Sequence, residues 1–249
     1  MTSSTKPLSH RYPWQLDTRL HGLELTARLK QKFPADQLKA EFDTIIEHYA
    51  PQDQFGHYHH GGWTGVALHA IDGNPLDDQD NLKDSNVVLS KTPALQHAPL
   101  MEQIIDSLPC EKRRVRLLRL EPNREIFWHC EPWHTIDSRL LRLHVPIVTD
   151  DLVDFQISHE DLRWRPGELW YGDFSFPHRL HNRSNIERIH LVIDVETNDA
   201  IRKMLPKSLH MQRQARIRAR KRCTSMFRYW NRFFATDANL ISAQRIRRG

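Results

Sequence analysis

Arg188-Ile189-His190-Leu191-Val192-Ile193-Asp194-Val195 reads as a strand with two unlike faces. Ile189, Leu191, Ile193 and Val195 fall on one side, and Arg188, His190, Val192 and Asp194 on the other. Side chains of a strand alternate between faces, so this segment packs one side on a core and lines something polar with the other. Leu140-Leu141-Arg142-Leu143-His144-Val145 repeats the arrangement, with Leu141, Leu143 and Val145 opposite Leu140, Arg142 and His144. An arginine on an inward face needs an anion, because an unpaired buried charge is costly. Its planar fork suits a carboxylate better than lysine would.

Short strands are also expected at 63–70, 114–120, 153–157, 162–164 and 169–171, with turn signals such as Pro122-Asn123 and Pro166-Gly167 between them. Many short strands punctuated by turns point to a barrel or sandwich. Helices are expected over 22–32, ended by Phe33-Pro34, and over 100–108. Another follows Pro34, with Asp36 in its first turn and an apolar stripe of Leu38, Phe42, Ile45 and Ile46. Residues 1–20 read as irregular and 71–92 as a loop.

A second group of residues points to a metal. His129 and Glu131 stand two apart, which on a strand puts both on one side. Two imidazoles and one carboxylate on one face, with the other positions open, is the donor set of catalytic non-haem ferrous iron. His178, after the turn-rich run Gly172-Asp173-Phe174-Ser175-Phe176-Pro177, is the best candidate for the third ligand. His134 and Asp137 form a second ligand set, or contact substrate. The cluster His57-Tyr58-His59-His60 before Gly61-Gly62 reads as a polar loop, a metal site or a substrate-contacting rim.

These pieces carry a resemblance. From about Arg116 to Asp194 the chain resembles the aspartyl/asparaginyl β-hydroxylase family of iron- and 2-oxoglutarate-dependent dioxygenases. The matching pieces are His129-Cys130-Glu131-Pro132, then the run from Arg139 to Pro146, then Arg165-Pro166-Gly167-Glu168-Leu169-Trp170. Phe174-Ser175-Phe176-Pro177-His178 follows, and then Asn182 to Ser184 with Arg188 to Asp194. No piece is specific alone; their order and spacing are. The resemblance implies a mainly β fold, a double-stranded β-helix (jelly roll, cupin-like), and leaves both ends of the chain unexplained; the residue patterns add flanking N-terminal helices and a basic C-terminal helical extension. It implies Fe(II) held by His129 and His178, with Glu131 as the carboxylate ligand. It implies 2-oxoglutarate with its distal carboxylate on Arg188 and with Arg142 and His144 helping to bind it, and O2 as the oxidant. The activity implied is hydroxylation of a C–H bond of an amino-acid, peptidyl or carrier-bound substrate, releasing succinate and CO2. Glu131 is a departure, since the family's amino-acid hydroxylases more often show aspartate there and its animal members glycine. The stretch 132–138, beside the metal, is also longer than in the animal members.

The 249 residues suffice for one large domain or two small ones, and the 27% charged and 39% hydrophobic content is that of a soluble protein. Three cysteines, Cys110, Cys130 and Cys223, are too few for a disulfide framework and fit a reducing compartment. The start has no apolar signal-peptide core, so the expected location is cytoplasmic. Residues 1–206 are expected to form the dioxygenase domain, with a helical and loop part over 1–110 and the jelly-roll core over 111–198. Residues 207–249 hold twelve Lys/Arg against one acid, Asp237, a formal +11 that leaves −6 on the rest of a chain totalling +5. Within that extension Met226, Trp230 and Phe234 share one helical face among the arginines. Such a helix packs its aromatics on the body or in a dimer, lies on an anionic membrane, or tracks a nucleic-acid backbone. Nucleic-acid or membrane binding with a non-catalytic barrel is therefore the rival function.

Overall fold

The computed structural model describes residues 12–54, 56, 58–76 and 89–234. The N-terminal half runs α1 (Pro13–Leu20), β1 (Thr26–Lys32), α2 (Ala35–His48), β2 (Gln52–Asp53), β3 (Trp63–Ile71) and β4 (Leu89–Lys91). A 3₁₀ turn (Pro93–His97) leads to α3 (Pro99–Ser107), β5 (Lys112–Leu120) and β6 (Glu125–His129). Then come β7 (Leu140–Val148), β8 (Val153–Ile157), β9 (Glu160–Asp161), β10 (Glu168–Gly172), β11 (His178–Asn182) and β12 (Arg188–Glu196). The chain closes on α4 (Asp199–Lys203), α5 (Lys207–Met211) and α6 (Arg213–Phe234).

Two antiparallel sheets form the body. The larger has the order β1-β10-β7-β12-β5-β3-β2, with β4 on β3; the smaller is β6-β11-β8-β9. This is the expected jelly roll. The alternation read from β7 and β12 sorts the two sides of the large sheet. Leu141, Leu143, Val145, Ile189, Leu191, Ile193 and Val195 face outward onto α2 and α3, in one core cluster with Leu38, Phe42, Ile45 and Ile104. The opposite faces turn inward, where Val192 packs with Leu118, Phe155 and Phe174 between the sheets. Register aligns the inner faces, pairing Val192 with His144 and Asp194 with Arg142 across β12 and β7.

The helix expected over 22–32 is a strand from Thr26 on. Glu, Leu, Ala, Arg, Lys and Gln all favour helix, but the free edge of β10 overrides propensity: β1 pairs Thr26 with Gly172, Ala27 with Tyr171 and Arg28 with Trp170. Gly22, at φ +56°, sits in the turn between α1 and β1. Gly167, at φ +78°, marks the expected Pro166-Gly167 turn, and a Cβ there would run into the Phe33 carbonyl oxygen. Residues 13–20, expected to be irregular, form α1, started by Pro13 in the first turn. Leu162 and Trp164 are buried, but 162–164 is not a strand; the short pairing is at Glu160–Asp161 instead. Much of the expected loop 71–92 lies outside the described residues. Among the described residues no helix is long and apolar enough to cross a membrane.

Helix α6 does not stand apart from the body. Ala219, Cys223 and Phe227 are buried in the same cluster as Trp14 and Trp128. Trp14 is 0% exposed and meets Trp128 at 5.6 Å and Phe227 at 5.3 Å, both edge-on. Arg222 of α6 pairs with Asp17 of α1 through two contacts of 2.9 Å. Replacing Trp14 with Ala should therefore cost about 3–5 kcal/mol in a urea unfolding titration. A loss under about 1 kcal/mol would mean that α1 and α6 are not part of the core.

Candidate active site

His129 ends β6 and His178 opens β11, and the two pair directly across the ladder. Their ring centroids lie 4.0 Å apart. Each ring is fixed in the same way. His129 Nδ1 donates to the Phe127 carbonyl at 2.7 Å, and His178 Nδ1 to the Phe176 carbonyl at 2.9 Å. A carbonyl can only accept, so the proton sits on Nδ1 and the Nε2 lone pair is left for a metal.

Glu131 joins them by a route other than strand alternation. Strand β6 stops at His129, and Glu131 lies two residues beyond it, in the loop to β7. Its backbone N–H donates to the Phe174 carbonyl at 2.9 Å. Its carboxylate is gripped by Arg142 Nη1, and its Oε2 lies 3.6 Å from His178 Nε2. Ligand atoms of His129, Glu131 and His178 all fall within 4.8 Å of one another, the one such group among the described residues. Burial, aided by His178 beside it, lowers the His129 pKa to about 3. Burial alone would raise Glu131, but Arg142, His134 and His178 outweigh it and hold the carboxyl well below its ordinary range. The group is two imidazoles and a carboxylate, the donor set a first-row divalent metal takes.

Behind it lies a buried ionic cluster. Asp194, 0% exposed, receives Arg142 Nε at 2.6 Å and Nη2 at 3.0 Å. His134 Nε2 stands 3.5 Å from Asp194, with Arg114 at 3.7 Å and Arg116 at 3.9 Å. Arg142 thus reaches the site with its fork already engaged by Asp194 and Glu131.

Arg188 is built the opposite way. It is 3% exposed, donates from Nη2 to His190 Nδ1 at 2.8 Å and lies 5.1 Å over the Phe155 ring. Its Nε has no partner, and burial lowers its pKa to about 9 with no acid to offset the shift. His144 sits beside His190, with 3.3 Å between their Nδ1 atoms, and its Nε2 has no partner either. His129, Glu131, His178, Arg142, His144 and Arg188 all line one cavity of about 100 Å³.

Other expectations fare differently. His134 is buried behind Glu131, whereas Asp137 is drawn to the arginines of α6, so the two make no second ligand set. His57 lies outside the described residues. His59 uses both ring nitrogens on backbone, Nε2 on the Gln54 carbonyl at 2.9 Å and Nδ1 on the Gly61 N–H at 3.1 Å, and His60 rests edge-on against Phe127. The residue of that cluster that reaches the centre is Tyr58, stacked flat on His129 at 4.1 Å and 7°. Its signal, an aromatic among histidines, was present in the sequence, but its target was not.

The family model described as Aspartyl/Asparaginyl beta-hydroxylase matches residues 33–198. The chain belongs to this family. The chain is also similar to the L-proline cis-4-hydroxylase of Rhizobium meliloti (strain 1021), 25% identical over 173 residues and covering 67% of this chain. The match spans 59% of the length of that relative. Among solved structures, a prolyl-4-hydroxylase from Pseudomonas putida aligns at 12% identity with a TM-score of 0.44, covering 74% of this chain and 99% of the other. The α-ketoglutarate dependent carbocyclase SnoK from nogalamycin biosynthesis aligns at 9% with a TM-score of 0.48, covering 73% and 83%. Likenesses of that size carry no functional weight. All six pocket residues named above lie inside the stretch the β-hydroxylase family shares, whereas α1, β1, α5 and α6 lie outside it.

The buried histidines give this β-hydroxylase relative a pH-dependent stability. Burial lowers His129 to about 3, and burial with Arg188 nearby drives His144 and His190 well below the ordinary 6.5. The unfolded chain then binds more protons than the folded one below 6.5, so stability falls as pH falls. Metal-free protein should lose unfolding free energy between pH 7 and pH 4, by up to about 1.4 kcal/mol per pH unit for each such histidine. Urea titrations should show a shallower slope for His144→Gln; an unchanged slope would mean that His144 is protonated in the fold.

Proposed function

We propose that this chain is an Fe(II)- and 2-oxoglutarate-dependent hydroxylase acting on a C–H bond of an amino acid or amino-acid residue. The observation that carries the reading is Arg188, a buried guanidinium with no carboxylate partner among the described residues, in the same cavity as a two-histidine, one-carboxylate group. A buried cation without a counter-ion is stable only if a ligand supplies one. A dicarboxylic acid answers both needs, with one end for a metal and the other for the guanidinium. The orphaned Nε2 of His144 and Nε of Arg188 offer it further hydrogen bonds.

His129, Glu131 and His178 would hold the iron, which when bound supplies O2 activation coupled to decarboxylation of 2-oxoglutarate, giving succinate, CO2 and a hydroxylated substrate. The remaining work belongs to the chain. The carbonyls of Phe127 and Phe176 keep both imidazoles in the Nε2-ligating tautomer. Arg142, anchored on Asp194, orients Glu131. Phe155 under Arg188 and Phe174 beside His178 give the cavity apolar walls next to the guanidinium and the residues that would hold the metal. Tyr58 covers the outer face of His129. The relative named for L-proline makes free amino acids, proline first, the leading substrates, with peptidyl and carrier-bound residues after them.

Succinate release with Fe(II) and O2, scanned over L-proline, other free amino acids and Asp-bearing peptides, tests the reading. His178→Ala should abolish both turnover and metal uptake; surviving turnover would overturn the ligand assignment. Arg188→Met should raise the KM for 2-oxoglutarate roughly tenfold or more, with Co(II) affinity nearly unchanged. Equal loss of both would make Arg188 structural.

A further inference from the structure

The C-terminal helix lies outside the stretch shared with the family, yet two of its arginines are built into the loops that carry the metal ligands. Arg216 is 0% exposed. It holds Asp137 through Nε and Nη2, both at 3.0 Å, and donates from Nη1 to the Leu209 carbonyl at 2.7 Å. Its Nε also stands 3.4 Å from Asp173. Arg220 follows one helical turn later on the same face. Its Nη2 reaches Thr135 Oγ1 at 2.8 Å, Asp137 Oδ2 at 3.0 Å and Asp173 Oδ2 at 3.4 Å.

These partners sit on two segments. Thr135 and Asp137 belong to the loop that begins at Glu131 and carries His134. Asp173 opens the turn whose Phe174 carbonyl holds the Glu131 N–H and whose Phe176 carbonyl fixes the His178 ring. Thr135 Oγ1 donates to Asp173 at 2.9 Å and staples the two segments together. The side chains of Asp137 and Asp173 are 3% and 0% exposed, so two buried carboxylates meet there and need cations between them.

We infer that α6 is a positioning element of the metal centre, its Arg216 and Arg220 holding in place the two loops that present Glu131 and His178. The metal part of this inference rests on the proposed function; the clamp itself rests on the contacts above. Neither arginine touches the ligands, so both act as positioning residues. Outer-shell partners of metal ligands typically change metal affinity about 10- to 100-fold when removed.

Co(II) titration of the full-length protein, followed by its visible d–d bands and run beside thermal unfolding, tests it. Arg222→Met is the control, because Arg222 makes a comparable ion pair on α6 but to Asp17 of α1. The control should lower Tm while leaving the Co(II) Kd and spectrum as in the parent. Arg220→Met should raise the Co(II) Kd about tenfold or more and alter the bands, and Arg220→Lys should restore part of both. Arg216→Met should act in the same direction; if it fails to fold, Arg220→Met, on a partly exposed side chain, carries the test. A parental Kd and spectrum in Arg220→Met, with only Tm lowered, would reduce α6 to scaffold. Absence of Co(II) binding by the parent protein would instead overturn the metal reading and with it this one.

Discussion

Buried charge organises the inside of this protein. A barrel interior offers little solvation, so every ion there must be matched by another or by a ligand. Asp194 meets that condition for Arg142, and Arg142 passes the constraint on by gripping Glu131. The carboxylate of the metal group is thereby aimed by a chain of ion pairs that starts on the central strand of the sheet. Arg188, six residues from Asp194 on the same strand face, is left unmatched. The contrast between these two arginines is between one matched inside the protein and one that is not. One cavity thus holds both an unmatched guanidinium and a two-histidine, one-carboxylate group, the pairing on which the proposed function rests.

The parts of the fold legible in the sequence were those where period and chemistry coincide. β7 and β12 alternate so cleanly that both faces could be assigned residue by residue, and those faces became the outer core and the pocket wall. α2 was legible because its stripe is long and its start is punctuated by Pro34. β1 was not, because 22–32 is rich in helix-favouring residues and its strand state depends on a partner edge about 140 positions away in sequence. α1 was missed for a related reason: it is short, and its burial comes from Trp128 and α6 rather than from its own pattern.

The site shows the same division. His129 and His178 could be named because their neighbours form an ordered pattern. Glu131 joins the two histidines by a route the sequence argument did not contain: strand alternation does not extend to it, and a hydrogen-bonded loop delivers it instead. Asp137 and Tyr58 were both singled out or flanked by residues singled out, yet their roles depend on α6 and on the face of His129, which only three-dimensional packing supplies. The arginines of α6 divide likewise. Arg216, Arg220 and Arg222 serve the body, and composition alone cannot separate them from exposed Arg218, Arg228 and Arg232.

The position of β1 bears on how the chain can be cut. A fragment trimmed to the shared 33–198 stretch would lose β1 and leave the backbone of β10 as a bare sheet margin beside Leu169 and Tyr171. Unpaired margins of that kind recruit strands from other molecules. The same trimming removes the aromatic cover of Trp128. The smallest self-sufficient unit is therefore larger than the 33–198 stretch that the family model covers.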